Sequence, residues 1–223
     1  MKKFFILLFT FFLLGLQSVK SQDFYIEGHV NYNQVDDVDI NNIGTHGGLT
    51  FSNVDASLDY DSDIGLGFEV GALNVSDSDL RIGLSYSETK IELKKASGTG
   101  TVTDGTTTVN LAGSVTKAEF DEVGLSFEND VKSYSLNAYY DLETNGTFTP
   151  YVGVGLGQVD IENANDKELS KSLYLGGRHS IDDKMYVGIK GAYTMIDGPS
   201  DKLGLTYDDI TQKSLSLIVG YNF

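Results

Sequence analysis

Apolar and polar residues alternate in eight stretches of this chain. The first sets Phe24, Ile26, Val30 and Tyr32 on one face against Tyr25, Glu27, His29 and Asn31 on the other. The second sets Ile64, Leu66, Phe68 and Val70 against Gly65, Gly67, Glu69 and Gly71. The third sets Leu80, Ile82, Leu84 and Tyr86 against Arg81, Gly83, Ser85 and Ser87. Tyr134, Leu136, Ala138 and Tyr140 then oppose Ser133, Ser135, Asn137 and Asp141, and Phe148, Val152, Val154 and Leu156 oppose Thr149, Tyr151, Gly153, Gly155 and Gly157. The last three runs begin at Leu173, Met185 and Leu215; they put Tyr174, Arg178, Tyr186, Lys190 and Ser216 on the polar face, with Ile218 as the exception. A period of two marks a strand with two unlike faces, so the pattern predicts an all-β fold of eight strands.

Two architectures use such strands. A soluble sandwich or barrel turns the apolar face inward; a transmembrane barrel turns it outward to lipid and fills its inside with polar and small residues. Glycine decides between them. It is concentrated on the polar face, where a narrow barrel needs small residues among large ones, whereas on a solvent face it would only weaken the strands. Tyr and Phe stand at the run ends on the apolar face, at Phe24, Tyr32, Tyr86, Tyr134, Tyr140, Phe148, Tyr193 and Phe223, the positions of an interfacial aromatic girdle. Connections alternate in length. Short turns fall near 75–79, 144–147 (with the hairpin dipeptide Asn145-Gly146) and 182–184; long stretches fall at roughly 34–62, 95–130, 162–170 and 197–210. This predicts an eight-stranded antiparallel up-and-down transmembrane β-barrel with short periplasmic turns and long extracellular loops. Within the long stretches, 101–109 reads as a hairpin on Asp104-Gly105, and 49–51 and 123–127 as extended. A ten-stranded barrel is the alternative; it is disfavoured because 101–109 is too short and polar to face lipid.

The first 21 residues read as a leader. Lys2 and Lys3 precede an apolar run over 4–16, and small and polar residues follow, as in a secretory signal peptide. Cleavage is expected after Ser21, with Ser18 as the alternative, leaving 22–223 as the barrel domain. The run is too short for a spanning helix. Its removal takes Lys2, Lys3 and Lys20 and no acid, moving the formal charge from −16 to −19. A chain this acidic is no nucleic-acid binder. With no Cys it has no disulfide, thiolate metal site or cysteine nucleophile.

The terminal segment 213–223, with Leu215, Leu217, Val219, Tyr221 and Phe223 at alternate positions, resembles the terminal assembly signal of bacterial outer-membrane barrels. Residues 148–157 are similar to the fifth-strand signature common in such proteins. The chain as a whole resembles small barrels of the outer-membrane protein A, X and surface-antigen type. That resemblance implies residence in the Gram-negative outer membrane, contact with its lipid and lipopolysaccharide, and recognition by the barrel-assembly machinery.

Alternation also sorts the charges. Glu27, Glu69 and Asp141 face the lumen against Arg81, Arg178 and Lys190, three acids and three bases inside a strongly acidic chain. Pairing is expected, because an unpaired buried charge is costly, with hydrogen bonds to Tyr25, His29, Tyr139, Tyr151, Tyr174 and Tyr186. Eight strands enclose an interior that side chains fill. The expected function is therefore non-enzymatic: a plugged barrel serving envelope structure and surface contact or adhesion through acidic loops, with a host or surface ligand held there. The chain is expected to be monomeric and without cofactor. The alternative is a narrow, porin-like pore for ions or small solutes. His46 and His179 lack the partner spacing of a hydrolase. Asp36, Asp37, Asp39, Asp55, Asp59, Asp61 and Asp63 in the first long stretch lack the spacing of a calcium hand.

Overall fold

The computed structural model describes residues 23–42, 45–46, 48–76, 78–122, 128–144, 146–200 and 205–223. The leader at 1–21, the extended reading of 123–127 and Asn145 of the turn dipeptide lie outside the described residues. The described elements are β1 (Phe24–Val35), β2 (Val38–Asn42), β3 (Thr45–His46), β4 (Leu49–Tyr60), β5 (Asp63–Ala72), β6 (Leu80–Thr103), β7 (Thr108–Thr116), α1 (Lys117–Glu122), β8 (Glu128–Asp141), β9 (Phe148–Ile161), β10 (Glu168–Ser180), β11 (Met185–Ile196), β12 (Thr206–Tyr207) and β13 (Ile210–Asn222).

Eight of these strands close a ring. β1, β5, β6, β8, β9, β10, β11 and β13 pair in that order, all antiparallel, and β13 returns to β1 over Tyr25↔Asn222 to Val35↔Gln212. They correspond one for one to the eight alternating runs. The ten-stranded alternative does not form. The wall is inside out by the standard of a soluble protein. Along β1 exposed and buried residues alternate without a break, and from Phe24 to Tyr32 the large apolar residues Phe24, Ile26, Val30 and Tyr32 are in the exposed set. On β13, Leu217 is 66% exposed while the neighbouring Ser216 and Ile218 are buried. The sequence exception Ile218 thus points inward. Only a hydrocarbon solvent rewards such a surface.

One end of the barrel is trimmed close. The turn after β10 is held by Asp182, whose Oδ1 accepts the backbone N–H groups of Lys184 at 2.8 Å and Met185 at 2.7 Å. At the other end the strands run on. β6 is a single strand of 24 residues. Its first half pairs with β5 and β8 in the ring; its second half pairs with β4 and β7. β2 and β12 extend this upper sheet to the order β12-β2-β4-β6-β7. The stretches expected to be loops are therefore largely strand, and the hairpin foreseen at 101–109 is longer, pairing Lys95↔Thr116 through Thr103↔Thr108. Its turn has Gly105 at φ 87°, a left-handed conformation suited to glycine, and Asp104 Oδ1 accepts the N–H groups of Thr106 and Thr107. The reason for the added length is pairing: once β6 extends past lipid, both of its edges need partners, and β4 and β7 supply them.

Candidate functional site: the lumen and its mouth

The inner wall divides into three tiers. The lowest holds the charges. Arg81, on β6 and 1% exposed, reaches Glu27 of β1 at 3.3 Å and Asp141 of β8 at 3.0 Å. Asp141 also takes Nη2 of Arg178 from β10 at 2.5 Å. Glu27 further accepts the Tyr186 hydroxyl at 2.7 Å. The Arg81 guanidinium lies 4.7 Å from the ring centroids of both Tyr139 and Tyr151 and 5.4 Å from that of Tyr25, and Arg178 lies 5.1 Å from Tyr186. Four charges from four strands are thus chained across the barrel, with aromatic faces shielding the two cations.

Glu69 and Lys190 behave differently from the expected pairing. Glu69 is fully buried, yet its partners are neutral: Tyr25, Asn137 at 2.7 Å and Tyr139 at 2.8 Å all donate to it. Three donors replace the hydration a carboxylate loses inside a wall. Lys190 is buried with its ammonium 5.5 Å from the Tyr174 ring centroid and 5.8 Å from that of Tyr139, and forms no ion pair among the described residues. Glycines opposite the tyrosines make the room. A Cβ at Gly220 would overlap the Tyr186 ring, and one at Gly83 would overlap the Glu69 carboxylate.

The middle tier is polar. Hydroxyls pair across neighbouring strands, Ser85 with Ser135 at 2.7 Å and Ser172 with Thr194 at 2.9 Å, and Tyr174 donates to Asn137 at 3.0 Å. They border a cavity of about 90 Å³ that His29, Asn31 and Lys190 also line, room for about three water-sized molecules. His29 is buried, and its Nδ1 has no partner among the described residues.

The top tier is apolar. Val35, Val38, Val131, Val159, Ile196 and Ile210 are buried against one another, and Tyr60, Ile91, Ile161 and Tyr207 pack onto them. These residues stand at the extracellular ends of the wall strands and on β2, β4 and β12. Sequence reasoning missed them. Their signal was a change of phase: Leu84 and Tyr86 face out on β6, whereas Ile91 and Leu93, of the opposite parity, face in.

The remaining candidates lie apart. His179 is exposed near the periplasmic turns, its Nδ1 3.3 Å from Thr147 Oγ1. His46 lies in β3, whose two residues pair with β4. Asp36 meets Lys213 at 2.7 Å and Asp59 meets Lys94 at 3.3 Å; no metal-binding group of three such side chains occurs among the described residues. Leu215, Leu217, Val219 and Phe223 face outward on the last strand, the Tyr221 and Phe223 rings sit 5.2 Å apart, and the Phe223 N–H donates to the Phe24 carbonyl at 2.8 Å.

The model of the outer membrane protein beta-barrel domain family matches residues 4–223. Among solved structures, the chain is similar in fold to Neisserial surface protein A, at 13% identity and a TM-score of 0.54 over 90% of this chain and 97% of that one. Outer membrane protein AlkL in lipid bilayers matches at 18% identity and 0.48, covering 93% of each chain. The Ail protein of Yersinia pestis matches at 14% and 0.43, covering 92% of this chain and 100% of that one. No curated protein matches the sequence. The closed eight-stranded wall, its lipid-facing surface and the full-length family match agree, and the chain belongs to the outer membrane protein β-barrel domain family, a component of the bacterial outer membrane.

Proposed function

We propose that this protein is a non-enzymatic, non-conducting anchor that holds a β-platform above the outer membrane for contact with other surfaces. What supports the reading is the side chains that meet inside the wall at two levels. Arg81, Glu27, Asp141 and Arg178 are linked inside the lumen near the periplasm, and an apolar cluster packs at its outer end. Ion transfer past both would require breaking buried ion pairs at one level and wetting packed Val and Ile at the other. Glu69 and Lys190 complete the lumen's charge balance. Specificity then resides in the platform, since the barrel beneath is only a scaffold. The barrel acts as a monomer within its own membrane, surrounded by lipid and lipopolysaccharide, and Leu215, Leu217, Val219, Tyr221 and Phe223 are its address to the assembly machinery.

Planar-bilayer recording tests this. The protein is expected to give no steady openings. Steady openings whose ion preference changes with Arg178→Gln would replace the reading with that of a narrow pore, which the cavity beside Lys190 would then serve.

A further inference from the structure

The upper sheet ends in an unusual edge. All nine residues of β7 are exposed, and among the described residues β7 has one strand neighbour, β6. Its outer edge therefore offers a row of backbone N–H and C=O groups. Proteins usually guard such an edge with a charge, a proline or a bulge. β7 has none of these: Thr108-Val-Asn-Leu-Ala-Gly-Ser-Val-Thr116 carries no charge in a chain of net −16, and it pairs with β6 without a register shift. Val109 and Leu111, on one face, are 48% and 49% exposed.

The order of these residues identifies the partner. Laid antiparallel to a copy of itself about Ala112, the strand sets Thr108 opposite Thr116, Val109 opposite Val115, Asn110 opposite Ser114 and Leu111 opposite Gly113. Like meets like at the first three pairs, and the largest side chain meets the smallest at the fourth. Such cross-strand matches are what stabilise an antiparallel pair. Gly113 supports this. A Cβ there would meet nothing within 4 Å in the single chain, so the glycine weakens β7 without serving its own fold; opposite Leu111 of a second copy, the missing Cβ becomes space that is used. The same register sets Lys117 opposite Thr107, beside the turn that holds Asp104, so opposite charges approach at each end of the pair.

Symmetry then determines where the second copy stands. An antiparallel pair of identical strands is related by a two-fold axis perpendicular to the sheet. The upper sheet continues the barrel wall through the unbroken strand β6, so the axis lies along the membrane plane and the two barrels sit at opposite ends of the pair. A partner in the same membrane would need parallel strands, which leave the self-matching order unused. We propose that the free edge of β7 pairs antiparallel with β7 of a second copy in an apposed outer membrane, making the protein a homotypic cell-to-cell contact. This rests on the surface-contact reading above and names its partner. Each pair is short, but many pairs between two membranes act together.

The test uses the full-length protein reconstituted in phosphatidylcholine vesicles with the platform outward. Clustering is read by turbidity and by energy transfer between two dye-labelled vesicle populations. Wild-type vesicles are expected to cluster and to leave protein-free vesicles behind. Ala112 faces its own copy across the two-fold axis, so vesicles carrying Ala112→Lys alone, or Ala112→Glu alone, should cluster at least about tenfold more slowly. Mixing the two variants should restore clustering, which also shows that both are folded. Dispersed wild-type vesicles, variants that cluster like wild type, a mixture that does not recover, or recruitment of protein-free vesicles would each overturn the pairing. Vesicles that stay dispersed while bilayers stay silent would remove this inference and leave the proposed function standing, whereas steady conductance strikes at the latter alone.

Discussion

Along β6 the wall changes character within a few residues. Toward the periplasm, Leu84 and Tyr86 face outward and Ser85 and Ser87 face the lumen. Beyond Glu88, Lys90 and Lys94 are outside, and Ile91 and Leu93 turn inward. β8 and β9 repeat the change: Leu136 and Leu156 face outward, but Val131 and Val159 are buried within. The backbone is one continuous antiparallel ladder through this point. Only the solvent differs. Hydrocarbon outside the lower wall draws apolar side chains outward and leaves polar ones to satisfy each other within. Water outside the upper wall restores the ordinary order, with a small dry core and a charged exterior. One strand therefore carries two opposite amphipathic patterns, and the residue at which they exchange marks where the membrane ends. Tyr86 and Tyr134, whose rings lie 5.1 Å apart, sit beside that boundary, and Glu88 receives both the Tyr86 hydroxyl at 3.1 Å and Lys132 at 3.7 Å.

The contrast can be broken most severely from within the lower wall. Arg81→Ala leaves Glu27 and Asp141 facing each other without their shared cation and is expected to cost about 3–5 kcal/mol; urea unfolding of the folded barrel, followed by the heat-dependent shift in gel mobility, measures it. The next largest effect compares one substitution in the two solvents. Leu217→Lys on the lipid face is expected to cost about 2–4 kcal/mol, whereas Leu111→Lys on β7, equally a large apolar residue in view, should stay within about 0.5 kcal/mol. Equal costs in the same unfolding assay would mean that both faces meet the same solvent. A smaller effect belongs to the upper core, where Ile196→Val should cost about 1 kcal/mol, read as faster proteolysis of the mouth segments with the barrel intact. The smallest is a titration. Burial among the mouth residues pushes the Tyr60 hydroxyl up to about 12, against about 10 in an unfolded chain. Because the folded form resists ionisation, its contribution to stability is complete below about pH 10 and is lost as pH rises toward 12. Tyrosinate absorbance should therefore appear late for this residue, and Tyr60→Phe should remove that part of the alkaline loosening of the mouth.

The eight wall strands and their facing were legible in the sequence because lipid imposes a strict rule on every second residue: Leu66, Val154, Ile189 and Val219 have no other place to go. The lumen was legible in its residue list but not in its partnerships. Whether Glu69 meets Lys190 or three neutral donors depends on how far side chains reach inside a closed ring, and therefore on the register between strands that are distant in sequence, such as β5 beside β1 and β8 one strand beyond β6. The mouth escaped for another reason. A reading that follows one parity ends its runs near Tyr86, Tyr134 and Leu156, and so gives Ile91, Val131 and Val159 no face, although the alternation continues with its sense reversed. Long-range pairings such as β2 with β12 leave little local trace, since each is only a few residues long.

The seam between β1 and β13 has its own consequence for how the molecule comes into being. The first wall strand takes its second neighbour from β13, the wall strand most distant from it in sequence, and Phe24 and Phe223 meet at the joint. Until β13 reaches β1, the ring is an open ribbon with two raw margins and no stable form in oil. A wall that lacks any one of its eight strands is therefore not a smaller barrel but an unfinished one.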